Sequence, residues 1–124
     1  MILVDSSGWI EFLTAGPLGP EYRALLLKPE SVVTPSIVVY EVFKTLARVQ
    51  PRLAEEAVGE MRLTRIVSLT EALAIGSARV SLERRLPMAD AIVYTTALAE
   101  GAELVTSDAH FKGLPGVRYL PKPA

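Results

Sequence analysis

The chain has 124 residues, half of them apolar, a formal net charge of −1 and no cysteine. That length suits one domain burying about two-thirds of its unfolded surface, while the missing thiols exclude disulfides and thiolate chemistry, and the charge excludes the overall basic character of many nucleic-acid binders. No run of about 18 residues escapes a charge or a proline, and Asp5 and Glu11 interrupt the apolar start, so neither a membrane span nor a signal peptide is expected and the cytoplasm is the expected location.

In chain order, the aliphatic run 2–4 predicts a buried strand ending at Asp5, and residues 7–13 a helix with Ser6 or Ser7 in capping position. Residues 21–27 follow Pro20 as a helix follows a first-turn proline. A strand over 32–34 leads into "SIVVYEVF", which is β-branched enough for another strand. Length decides for a helix over 36–49, because small and apolar residues continue to Val49 before Pro51. Pro51 then opens a helix to about Leu63, residues 66–67 form a strand, and Thr70 with Glu71 opens a helix to about Arg84. Pro87 begins the last long helix, which Gly101 ends as a C-terminal cap, and strands over 104–106 and 117–120 complete the chain. Strands alternating with helices predict an α/β domain with a mainly parallel sheet, whose working crevice lies at the carboxyl ends of the strands.

That rule draws attention to the acids. The sequence has only three aspartates: Asp5 and Asp108 follow strands, and Asp90 falls in the first turn of the helix opened by Pro87. Glu41 interrupts an apolar run and, on a helix, shares a stripe with Ile37, Lys44, Thr45 and Arg48. Singly, each acid has a plain structural explanation as a cap, a partner of the helix dipole or a member of a solvated face with a Glu41–Lys44 pair. Brought together, carboxylates repel, and a divalent cation resolves the conflict. With no thiolate and a single histidine, the ion expected is an oxygen-seeking one such as Mg²⁺, with Ser6, Thr106 and Ser107 as supporting hydroxyls. Such a site suits phosphoryl chemistry, and the sequence carries no phosphate-binding glycine loop, dinucleotide fingerprint or nucleophile elbow that competes with it.

Four segments in order, "ILVDSS", "TPSIVVYEVFK", "LPMADAIVYTTA" and "LVTSDAHF", resemble the PIN-domain family of metal-dependent ribonucleases, and the short length resembles its VapC-type toxins. The resemblance runs from Ile2 to about Leu120 and places the family's acidic quartet on Asp5, Glu41, Asp90 and Asp108, with Thr106 as the hydroxyl two before the last acid, Ser6 as the small polar residue after the first, and Phe111 as a packing aromatic. It implies a three-layer α/β/α fold over 1–124 as a single domain, dependence on Mg²⁺ or Mn²⁺, a homodimer, and a VapB-type antitoxin whose tail occludes the site. The expected activity is endoribonucleolytic, with activated water attacking an RNA phosphodiester in line to leave 5′-phosphate and 3′-hydroxyl ends.

Lys44, Arg48, Arg84 and Arg85 are the cations placed within a few turns of an acid and therefore candidates to grip the RNA backbone. His110 reads as a surface turn residue, while Trp9, Phe12, Tyr22, Tyr40 and Tyr94 read as core or interface before base-stacking groups. Two other readings stand beside the ribonuclease: a metal-dependent nuclease or phosphatase acting on DNA or a small phosphoester, and a non-catalytic binding module whose acids are caps.

Overall fold

A computed structural model describes all residues, Met1–Ala124. Its sheet consists of β1 (Ile2–Val4), β2 (Val32–Pro35), β3 (Arg65–Val67), β4 (Glu103–Thr106) and β5 (Val117–Tyr119), all parallel and ordered β3-β2-β1-β4-β5. Six helices connect and cover it: α1 (Ser6–Leu13), α2 (Gly19–Leu26), α3 (Ser36–Ala47), α4 (Pro51–Arg62), α5 (Glu71–Arg84) and α6 (Met88–Ala99). The parallel sheet is the one expected from the alternation of strands and helices, and the three-layer α/β/α arrangement is the one that the family resemblance implies. The three inner strands are buried along most of their length, which explains why they read as short, mainly aliphatic runs rather than as alternating ones.

Local chemistry sets most boundaries. Thr70 caps α5 by accepting from the Leu73 N–H at 3.2 Å, and Pro51 occupies the first turn of α4. Gly101, just past α6, takes φ +63°, the left-handed turn that lets the chain reverse into β4. The ambiguous stretch after β2 is helical because its β-branched residues are not all buried: Val38, Val42 and Leu46 face inward at helical spacing while Tyr40 stands exposed. That helix stops at Ala47, two residues before the expected Val49. The first helix differs in its cap. Neither Ser6 nor Ser7 caps α1; Asp5 does, its Oδ1 accepting from the Gly8 N–H at 3.2 Å.

One contiguous core joins Leu3, Val33 and Leu104 of the sheet to Trp9 and Tyr22 on one side and Val93 and Tyr94 on the other. Gly8 is required where α1 meets this core, because a Cβ there would run into the Tyr22 ring and the Val4 side chain. The topology reverses at the centre: from β1 the chain moves outward through β2 and β3, then returns to place β4 on the other side of β1. In such sheets a crevice opens at the carboxyl ends of the two strands flanking the reversal. Asp5 follows one of them and Asp108 the other.

Candidate metal centre

The register of β1 and β4 pairs Val4 with Val105, so the next residues, Asp5 just past β1 and Thr106 at the end of β4, stand side by side. Thr106 links the two strand ends. Its hydroxyl donates to Asp5 Oδ2 at 2.6 Å and accepts from the Asp108 N–H at 2.9 Å. Ser7 holds the other oxygen, donating to Asp5 Oδ1 at 2.7 Å while accepting from the Ser107 N–H at 3.1 Å. The Ser107 hydroxyl turns away to the Tyr22 hydroxyl at 2.7 Å, deep in the core. Burial and the nearby Asp5 charge push the Tyr22 phenol up to about 12, so it stays protonated.

Asp5 is only 4% exposed, and burial raises its carboxyl to about 6 against donors from Ser7, Thr106 and Gly8, with the Asp108 charge adding to the rise. Glu41, half-buried on α3, is raised first by burial and then by the charges of Asp90, Asp5 and Asp108, partly offset by the Ser6 hydroxyl. Asp90, in the first turn of α6, is raised by burial and by Asp108, with His110 opposing. Four carboxyls from four separate segments therefore sense one another, and no lysine or arginine forms an ion pair with any of them.

His110 is the surface turn residue that the sequence predicts, and it also reaches the acids. Its ring Nδ1 lies 2.8 Å from Asp90 Oδ2 and 3.4 Å from Asp108 Oδ1, on a short 3₁₀ turn (Ala109–Phe111) capped by the Asp108 side chain. Sequence reasoning also passed over Ser7 as a site residue and Tyr22 as the distant anchor of Ser107. A serine two residues after an acid that ends a strand is a local signal for Ser7; nothing local points to Tyr22 or His110. Of the expected hydroxyls, Thr106 touches two acids, Ser6 acts on Glu41, and Ser107 contributes its backbone N–H rather than its hydroxyl.

The expected cations occupy two flanks. Lys44 and Arg48 line a groove between α3 and α4 together with Arg62. The expected Glu41–Lys44 pair is not formed; Lys44 instead donates to the Tyr40 hydroxyl at 3.2 Å and lies over its ring. Arg84 stacks over Tyr94, one turn beyond Asp90, and Arg85 ends α5 with φ +55°. Among the aromatics, Trp9, Tyr22 and Tyr94 are core, whereas Tyr40 is exposed.

The donor set fits a divalent cation. Asp90, Asp108 and His110 each bring a ligand atom within 4.8 Å of the others, the Asp5 and Glu41 carboxyls lie close enough to feel their charge, and burial with mutual repulsion raises three of the four acids, a penalty that a bound cation removes.

A comparison with curated protein sequences gives no significant match. Among solved structures, a toxin-antitoxin complex from Klebsiella pneumoniae contains a chain 24% identical, the alignment covering 99% of this chain and 100% of that one with a TM-score of 0.83. VapC20 from Mycobacterium tuberculosis, described as a Sarcin-Ricin loop cleaving toxin, is 23% identical over 93% of this chain and 95% of its own, with a TM-score of 0.77. VapBC2 from Rickettsia felis, bound to a DNA fragment from its promoter, matches at 17% identity over 98% of each chain with a TM-score of 0.74. At such identities the likeness is one of fold. The family model described as "PIN domain" matches residues 2–117, from the first strand to the start of the last and across all four acids, and the chain belongs to the PIN domain family.

Proposed function

We propose that this PIN domain, a single domain over residues 1–124, is a Mg²⁺- or Mn²⁺-dependent endoribonuclease and the toxin of a toxin-antitoxin pair. The observation carrying the reading is the gathering of Asp5, Glu41, Asp90 and Asp108 at the topological reversal of the sheet, close enough to sense one another's charge, with no lysine or arginine paired to them. These carboxylates would hold one or two ions, which when bound polarise a phosphate oxygen and acidify a water for in-line attack. The chain's own groups prepare the site. Thr106 and Ser7 fix both oxygens of Asp5, and the same Thr106 hydroxyl positions the backbone of Asp108. Ser6 orients Glu41, and the Lys44–Arg48 groove on one flank with Arg84 and Arg85 on the other gives the RNA backbone two basic rails.

The relatives support the partners. They include toxin-antitoxin complexes and a toxin that cleaves the Sarcin-Ricin loop, so RNA is the proposed substrate and a VapB-type antitoxin the proposed inhibitor. Exposed Leu82 and Met88, beside the α5–α6 seam, support a homodimer. No helix is long and apolar enough to cross a membrane, and the cytoplasm is the proposed place of action.

The test offers the purified protein RNA, single-stranded DNA and a chromogenic phosphoester with Mn²⁺. RNA alone should be cleaved, with 5′-phosphate and 3′-hydroxyl ends, and EDTA should stop the reaction. Cleavage that persists in excess EDTA or yields cyclic phosphates would overturn the proposal. A second reading has one specific observation behind it: Asp5 and Asp108 do cap a helix and a 3₁₀ turn. Asn retains a capping oxygen, so Asp108→Asn separates the two. Loss of about 10²- to 10³-fold in cleavage with unchanged melting supports the metal centre, whereas no cleavage by wild type or variant, with RNA binding the same in both, supports the binding module.

A further inference from the structure

The sequence offers one histidine, and the fold brings it to the acids. The His110 side chain is 61% exposed, so packing does not hold it there. What holds it is the contact of Nδ1 with Asp90 Oδ2 at 2.8 Å, the approach to Asp108 Oδ1 at 3.4 Å, and its own N–H, which donates to that same Asp108 oxygen at 2.9 Å. Six ligands at 2.0–2.1 Å around one ion place neighbouring donor atoms about 3.0 Å apart, a spacing the two ring contacts bracket. One donor atom from each of Asp90, Asp108 and His110 lies within 4.8 Å of the others.

We infer that His110 supplies a nitrogen ligand to the Asp90–Asp108 side of the centre and makes that side selective for first-row transition-metal ions over Mg²⁺. The inference rests on reading the acids as a metal centre. Its basis is ligand chemistry: imidazole favours the later first-row ions, while carboxylate and water suit Mg²⁺. Asp5 and Glu41 lie outside the group that includes the imidazole and form the oxygen-only side. A histidine that only oriented Asp90 by a hydrogen bond would support every ion equally.

The experiment uses the full chain without a histidine tag and titrates Co²⁺ and Mg²⁺ calorimetrically into wild type, His110→Gln and Asp108→Asn. The exposed position of His110 allows Gln without disturbing the core. The expected result is a loss of about tenfold or more in Co²⁺ affinity for His110→Gln, with Mg²⁺ affinity changed by less than about twofold. A second readout is direct, because the only imidazole can be isotope-labelled: a one-bond scalar coupling between bound cadmium and a His110 nitrogen is expected. Equal losses for both ions, or no such coupling, overturn the inference while Asp108→Asn still loses metal. If Asp108→Asn binds both ions as wild type does, the metal-centre reading fails and the inference with it.

Discussion

The two ends of α1 each carry a buried acid, and they behave differently. Glu11, 8% exposed near the C-terminal end, accepts from the Leu18 N–H at 3.1 Å and lies 3.7 Å from Lys122. Its carboxylate ties down the loop into α2 beside a cation. Asp5, at the N-terminal end, also has its oxygens satisfied by donors, yet its charged neighbours are carboxylates alone. Burial of an acid is therefore no sign of a site by itself. The distinguishing feature is a like charge nearby that nothing in the chain neutralises.

Asp5→Asn strains this contrast hardest. RNA cleavage should fall by about 10²- to 10³-fold, read in a single-turnover assay. In EDTA the same variant should change the pH dependence of melting. The folded carboxyl is raised from 3.8 to about 6, so the native state binds the proton more tightly than the unfolded chain does. Metal-free wild type should accordingly be stabilised below pH 3.8 and lose that contribution as pH rises to about 6, by on the order of 3 kcal/mol. Asp5→Asn should flatten the melting profile across that window; an unchanged slope would show that the charge is not buried as described.

Glu11→Ala should do the reverse. It leaves the Leu18 N–H without its partner and should cost about 1–3 kcal/mol in denaturant unfolding, while cleavage per folded molecule stays at the wild-type level. A large loss of activity would erase the distinction between the two acids. The smallest effects belong to the rails. Lys44→Ala and Arg84→Ala should each weaken RNA binding by less than about tenfold, with a shallower dependence on salt and no change in product ends. Finding only one of them active would show which flank the substrate follows.

Much of this was legible along the chain. Strand ends followed by polar residues marked Asp5 and Asp108, and the helix-opening Pro87 marked the turn that carries Asp90, because hydrophobic runs and proline act on their immediate neighbours. Glu41 stood out as an acid interrupting an apolar run, and its place in a four-segment pattern joined it to the other three. The cap of α1 was misread by one or two residues because Asp, Ser and Ser in succession all suit the position, and the neighbouring strand determined the choice. His110 was read rightly as an exposed turn residue, but its contacts with Asp90 and Asp108 were not legible, because its chain neighbours do not say what faces it.

Composition and periodicity thus determined an α/β chain with aliphatic strands, capped helices and acids at strand and helix ends, since each is settled by interactions within a few residues. Tertiary structure alone decided that β4 lies beside β1, so that Thr106 donates to an aspartate 101 positions away, and that the histidine faces Asp90 across 20. Such contacts depend on which strands exchange backbone hydrogen bonds and in what register, and that choice is made by the packed sheet as a whole.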